Sequence, residues 1–271
     1  MQLKLEPFSP DEKILYKKVQ NVELKLHVFY PENHKITDQR AAIVFFFGGG
    51  WKNGSPEQFY PHCQYFSSRG MTAFAAEYRI ESKHGTTPYK CVEDGKSAIR
   101  YIRKHARELG IDPTRIAAGG GSAGGHVAAA AGTLQQFDDP ADDASISSKP
   151  NAMVLFNPVY DNGPDGYGYD RVIDYWQDFS PLHNIDESIP PTVVFLGTQD
   201  KLIPVSTARK FQKLVEDVHV RSDLHLYDGQ PHGFFNYRDG NNTYYIQTVI
   251  AADKFLVSLG YLTGEPTLKI Q

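Results

Sequence analysis

The sequence predicts an α/β fold: a mostly parallel central sheet with helices on both faces. Three observations carry that prediction. Short, continuously apolar runs of strand length recur along the chain, separated by stretches in which apolar residues keep helical spacing. That is the pattern of strands buried on both sides and joined by crossover helices. The length, 271 residues, suits one such domain and is enough for a sizeable core. Finally, a knot of glycines lies between an apolar run and an alanine-rich run, where a strand turns abruptly into a helix. Residues 1–271 are therefore read as a single domain.

Taken in order, Val22–Tyr30 (VELKLHVFY) alternates apolar and polar residues, as a half-exposed strand does, and Pro31 ends it. Ala41–Phe47 (AAIVFFF) is a buried strand, stopped by Gly48-Gly49-Gly50-Trp51. Tyr60–Ser68 reads as a helix ending near Gly70, and Met71–Tyr78 as the next strand. Cys91–Leu109 carries an apolar helical face (Cys91, Ala98, Ile99, Ile102, Ala106, Leu109), with Gly110 as C-cap. Ile116, Ala117 and Ala118 form a strand that enters the glycine knot, and the helix Ala123–Leu134 leaves it. Ala152–Phe156, Thr192–Leu196 and Asp223–Tyr227 are further strands; Val205–Val218 and Thr243–Leu259 are helices. Two segments interrupt the alternation. Gln135–Lys149 is acidic and serine-rich, a surface loop. Asn157–Pro191 is long and irregular, and is read as a loop or small cap inserted at about residues 157–191; loops of that length are uncommon without a function.

Composition excludes several classes. Charged residues make up 22% and apolar ones 41%, so the chain is neither disordered nor membranous. The net charge of −4 offers no electrostatic reason to expect nucleic acid. No apolar run approaches the ~20 residues of a membrane span. The first residues lack the charged and apolar regions of a signal peptide, so the chain either stays inside the cell or has lost a leader. Cys63 and Cys91 lack the spacing of a metal or redox motif; they read as buried thiols, with one disulfide as the alternative. No cofactor or metal is expected. Oligomeric state is not legible.

The glycine knot carries the chemistry. Gly120-Gly121-Ser122-Ala123-Gly124 matches G-x-S-x-G between a strand and a helix, the context a nucleophile elbow requires. The turn presents the serine hydroxyl at a helix N-terminus, whose free N–H groups favour developing negative charge. A phosphate loop would need a lysine that is not there. The dinucleotide fingerprint traced by Gly119, Gly121 and Gly124 lacks an acidic residue about 20 positions on.

Serine needs a base, and the base needs a group to orient it. In a parallel sheet both should come from loops at the C-terminal ends of strands. Asp200 follows the strand Thr192–Leu196, and His232 follows Asp223–Tyr227. Either alone could be an ordinary turn or cap residue. Together, in the order Ser…Asp…His behind an elbow, they read as a triad. Asp161 is the rival acid; His126, His219 and His225 are weaker rival bases. Oxyanion donors would be the N–H of Ala123, after the serine, and others from the loop Gly48-Gly49-Gly50 that follows Phe47.

These motifs resemble those of the α/β-hydrolase superfamily. Within it the chain looks like bacterial esterases and lipases related to hormone-sensitive lipase, and like polysaccharide-acting feruloyl and acetyl esterases. Phe47-Gly48-Gly49-Gly50-Trp51 is similar to their H-G-G-G-[WF], Glu77-Tyr78-Arg79 to D-Y-R, and Gly120-Gly121-Ser122-Ala123-Gly124-Gly125 to G-D-S-A-G-G. The likeness spans roughly Val22 to Leu259. It implies the α/β-hydrolase fold; the sheet is expected to begin near Val22, so the long N-terminal helical cap of the hormone-sensitive-lipase relatives is expected to be missing. It also implies Ser122 as nucleophile, His232 as base and Asp200 as its orienter, with oxyanion donors at Gly49, Gly50 and Ala123. Two positions depart from the pattern: Phe47 stands for the histidine, and Gly121 for the acidic residue before the serine.

The expected activity is carboxylic ester hydrolysis through an acyl-enzyme. The alternatives are an amide-cleaving hydrolase of the same fold, such as an arylformamidase or peptidase, or an idle hydrolase fold that binds. The inserted segment mixes aromatics with carboxylates, which suits a sugar ring better than a greasy acyl chain. Trp51, Tyr160, Tyr167, Tyr169 and Trp176 are the expected substrate contacts. The expected substrates are short-acyl esters, acetylated or feruloylated carbohydrate among them.

Overall fold

The computed structural model of the chain describes residues 8–269. Its centre is one eight-stranded sheet. The strands are β1 (Glu12–Val19), β2 (Val22–Phe29), β3 (Arg40–Phe46), β4 (Thr72–Ala76), β5 (Ile111–Gly121), β6 (Ala152–Phe156), β7 (Thr192–Gly197) and β8 (Ser222–Tyr227). Their spatial order is β1-β2-β4-β3-β5-β6-β7-β8. β1 and β2 pair antiparallel, as do β2 and β4; every other pairing is parallel. The helices are α1 (Tyr60–Ser68), α2 (Glu81–His84), α3 (Pro88–Lys104), α4 (Ala123–Thr133), α5 (Trp176–Phe179), α6 (Val205–Asp217) and α7 (Thr243–Ser258).

Every residue of β4, β6 and β7 is buried, and all of β3 except Arg40. A strand is buried at successive positions only when both faces of its sheet are covered. That is why these strands read as uninterrupted apolar runs. The helices supply the cover: α1 is tied to α7 by Tyr65 on Asp253 and by Tyr245 on the carbonyl of Pro61, while α3 packs on α4 and α6 on β7 and β8.

Three expectations change. The sheet begins at Glu12 rather than near Val22. β1 (EKILYKKV) is an edge strand, and its lysines, which discourage edge-to-edge pairing, mask its alternation. α3 starts at Pro88, which suits the first helical turn, and ends at Lys104; residues 105–110 form turns that close with Gly110 in the left-handed region at φ 61°. The acidic loop 135–149 is also more than surface. Its Asp138 and Asp142 pair with Arg100, Asp138 with Lys96, and Asp139 with Lys17. The insertion at 157–191 holds α5 and two short 3-10 turns, Tyr169–Arg171 and Pro181–His183. Cys63 and Cys91 are both buried, free thiols. No helix among the described residues is long and apolar enough to cross a membrane.

Candidate active site

The elbow is built by close approach. A Cβ on Gly124 would lie 2.0 Å from the carbonyl oxygen of Phe46, and one on Gly120 would lie 2.5 Å from the backbone of Gly124. Only glycine lets β3, β5 and the start of α4 meet this tightly. The turn leaves Ser122 at φ 54°, ψ −121°, a conformation that costs a non-glycine residue about 1–3 kcal/mol. The backbone around it holds the strain: Ser122 N–H donates to Phe156 O at 3.0 Å, and Ser122 O accepts from His126 and Val159 N–H at 3.0 and 3.1 Å.

β7 and β8 deliver the other two groups. His232 Nε2 lies 2.9 Å from Ser122 Oγ, and His232 Nδ1 lies 2.7 Å from Asp200 Oδ2. A carboxylate can only accept, so Nδ1 carries the proton and Nε2 is free to accept from the serine hydroxyl. The Asp200 carboxylate is fully buried. Its Oδ1 accepts the N–H groups of Leu202 and Ile203 at 2.8 and 3.0 Å, so both oxygens are engaged.

The loop after β3 faces this trio. Gly49 and Gly50 take φ 127° and 63°, conformations that side chains rarely adopt. Among the described residues nothing accepts the N–H groups of Gly49, Gly50 or Ala123. Gly48 N–H, by contrast, is taken by Gln58 Oε1 at 2.6 Å. The cleft here has a volume of about 590 Å³, and its walls include Ser122, His232, all three glycines, Asn157, Tyr167, Arg171 and Phe235.

The two departures from the family pattern have steric reasons. A Cβ on Gly121 would sit 2.4 Å from the Phe235 ring, so Phe235 fills the space an acidic side chain would take. Phe47 stacks on Tyr78 with ring centres 4.1 Å apart, and the Tyr78 hydroxyl donates to Phe47 O at 2.5 Å. Glu77-Tyr78-Arg79 thus anchors the start of the glycine loop, with Arg79 paired to buried Asp94.

Of the aromatics expected to meet substrate, only Tyr167 lines the cleft. Trp51 and Tyr160 are corrected to packing residues. Trp51 is 1% exposed, edge-on to His126 and packed on Phe179. Tyr160 is fully buried and stacked on Phe211 at 4.6 Å. Tyr169 and Trp176 pack edge to face at 6.3 Å, off the cleft lining. The rivals are elsewhere too. Asp161 Oδ1 accepts Gly163 N–H within its own turn. His126 is buried, its pKa pushed down to about 3 by desolvation, with Nε2 on the Phe179 carbonyl. His219 and His225 are exposed, on a turn and on β8.

Sequence reasoning missed a set of amides that ties the loops together. Asn157 Oδ1 accepts Gly233 N–H at 2.9 Å, fixing the backbone beside His232, and its Nδ2 stands 3.4 Å from His232 Nε2. Gln58 Nε2 donates to Asn236 Oδ1 at 2.8 Å, and Asn236 Nδ2 donates to Gly233 O at 2.8 Å. Asn157 had a signal, since it directly follows a strand that ends beside the elbow. Gln58 and Asn236 had none, being 178 residues apart.

Comparison with known proteins agrees with this architecture. Residues 26–162 match the BD-FAE family and residues 165–255 the dienelactone hydrolase family. Ser122 falls in the first match, Asp200 and His232 in the second. Esterase LipC of Mycobacterium tuberculosis is 28% identical over 222 residues, covering 73% of this chain and 54% of LipC. The acetylxylan esterase of Xylanibacter ruminicola is 25% identical over 232 residues, covering 78% of this chain and 45% of that protein. The chain spans about half the length of the curated relatives it matches. Among solved structures, the apo form of Thermogutta terrifontis esterase 2 superposes with a TM-score of 0.91 at 45% identity, covering 96% of this chain and 97% of that one. With half of its length matched by one family and nearly all of it by this esterase structure, the chain has the α/β-hydrolase fold and belongs to the BD-FAE family.

Proposed function

We propose that the protein is a serine carboxylic ester hydrolase, with Ser122 as nucleophile, His232 as general base and acid, and Asp200 as the group that orients His232. The observation that carries this reading is the unbroken line from Asp200 Oδ2 through His232 to Ser122 Oγ, at 2.7 and 2.9 Å. As Oγ attacks the ester carbonyl, Nε2 takes its proton, and the carbonyl electrons move onto oxygen. The N–H groups of Gly49, Gly50 and Ala123, which have no other acceptor among the described residues, receive that oxyanion. Collapse breaks the acyl–oxygen bond, and the imidazolium returns its proton to the leaving alcohol. Water then attacks the acyl-enzyme by the same route in reverse.

The substrate is proposed to be a short-acyl ester, acetylated carbohydrate among the candidates. Short acyl groups are supported by Gln58, Phe235 and Asn236, which line the cleft together with Ser122. They are also supported by Thermogutta terrifontis esterase 2, which has been solved with propionate and with butyrate bound. A polar leaving group is supported by Lys52, Asn53, Asp170 and Arg171, which also line the cleft, and by the likeness to an acetylxylan esterase. The test is a p-nitrophenyl ester series of rising acyl length, a matching anilide, and acetylated xylan. The rate should fall steeply beyond about four carbons, as a small pocket imposes. The ester should outrun the anilide, and xylan should release acetate. A preference for long chains with no acetate release would refute the carbohydrate reading; a faster anilide would refute ester hydrolysis.

A further inference from the structure

The loop that carries Gly49 and Gly50 is held by its carbonyls. Gly49 O accepts the N–H groups of Lys52 and Asn53, and Trp51 O accepts that of Glu81, all at 3.0 Å. Between them, Gly50 O is taken by a side chain from the insertion, 121 residues away: Arg171 Nη1 donates to it at 2.6 Å. The guanidinium also lies over two aromatic rings. Its central carbon lies 5.0 Å from the centre of the Trp51 ring and 5.2 Å from that of Tyr167. A Cβ on the neighbouring Gly168 would come within 2.9 Å of Arg171 Nη2 and 3.0 Å of Trp51. A charge-assisted hydrogen bond from a planar group that lies over two adjoining aromatic rings, 5.9 Å apart, is a stiff tether.

We propose that Arg171 is a positioning residue for the oxyanion site, setting the Gly49–Gly50 loop through the Gly50 carbonyl. The insertion is then a working part of the catalytic apparatus rather than a cover over it. Gly50 in the left-handed region has little of its own to hold it, and oxyanion donors act only if they stand ready in place. Buried Trp51 follows in the same terms: its ring is part of the aromatic surface over which the guanidinium lies.

The inference rests on the proposed roles of Ser122 and the glycine N–H groups. The experiment compares Arg171→Met and Arg171→Lys with the native chain. It measures kcat and KM on p-nitrophenyl acetate, the inhibition constant of butane-1-boronic acid, and the melting temperature. The boronate forms a tetrahedral adduct on serine with an oxygen at the oxyanion donors, so it reads their placement directly. In Arg171→Met, kcat should fall about tenfold to a hundredfold, the effect expected of an ångström-scale displacement of catalytic groups. KM should change less than about threefold, and boronate affinity should fall in step with kcat/KM. Arg171→Lys keeps the charge and a donor but not the planar group over the rings, so it should recover part of both losses. A kcat within about twofold of native in Arg171→Met, or unchanged boronate affinity beside a reduced kcat, overturns the proposal. If the methionine variant does not fold, the lysine variant decides, since native kcat and boronate affinity there would overturn it equally. A native chain that binds no boronate and takes no label from paraoxon would instead overturn the serine reading beneath it.

Discussion

Asp200→Asn should be a worse lesion than its size suggests, for a reason visible in the hydrogen bonds. Oδ1 of Asp200 accepts two backbone N–H groups, from Leu202 and Ile203, and Oδ2 accepts His232 Nδ1–H. An asparagine here must keep its oxygen on the two N–H donors, because the flipped amide would set NH₂ against both. Its NH₂ then faces His232 Nδ1 and can only donate. That forces the proton to Nε2, so the imidazole presents a donor to Ser122 Oγ where the reaction needs an acceptor. The expected loss in kcat is about 10⁴-fold, or about 5 kcal/mol of transition-state stabilisation, with KM little changed. Asp200→Ala frees the ring to choose its tautomer and should lose no more than the asparagine variant does. Asp161→Asn, which touches only its own turn, should stay within about twofold. The assay is steady-state hydrolysis of p-nitrophenyl acetate, with melting temperatures to show that all variants fold. An Asp200→Asn enzyme keeping more than about a tenth of native kcat, or an Asp161→Asn enzyme that is the more damaged, would refute the assignment.

Ser122→Ala should reduce turnover to the residual catalysis of the oxyanion donors, and paraoxon should add one phosphoryl group on Ser122, read by peptide mass; a label on another serine counts against the mechanism. A third prediction concerns acid stability. His62 is fully buried among Phe45, Phe59, Phe156, Phe235 and Tyr245, with no hydrogen-bond partner for either nitrogen among the described residues, and burial pushes its pKa down to about 3. The unfolded chain, with an ordinary histidine, takes up the proton first. Stability is therefore present above about pH 6.5 and lost as pH falls towards 3, at about 2 kcal/mol for this residue between pH 7 and pH 5. His62→Leu should flatten the pH dependence of urea unfolding by that amount, whatever it does to stability at pH 7. An unchanged slope would show that His62 gains its proton in the folded state.

The buried strands were legible because two-sided cover demands apolar residues at successive positions, and β3 and β6 meet that demand over their length. Ser122, Asp200 and His232 were legible for a related reason. A parallel sheet brings the ends of its strands together, so residues distant in sequence but each just past a strand become neighbours. β1 was not legible, because its charged outer positions suit an edge and obscure the period.

By itself, then, the sequence determined the covered parallel sheet, the elbow and the trio at the strand ends. These follow from local sterics and from the periodicity of each element, which need no knowledge of the partner. Tertiary structure alone decided which way the side chains of the irregular segments point. Trp51 and Tyr160 are aromatic in sequence and could have faced substrate, yet both are buried. The Gln58–Asn236 bridge, the fit of Phe235 over Gly121 and the Arg171 tether to Gly50 join positions far apart in sequence. None has a spacing or a period to betray it. Each exists because a polar group or a ring in the interior must find a partner or a space, and only the assembled fold determines which one is within reach.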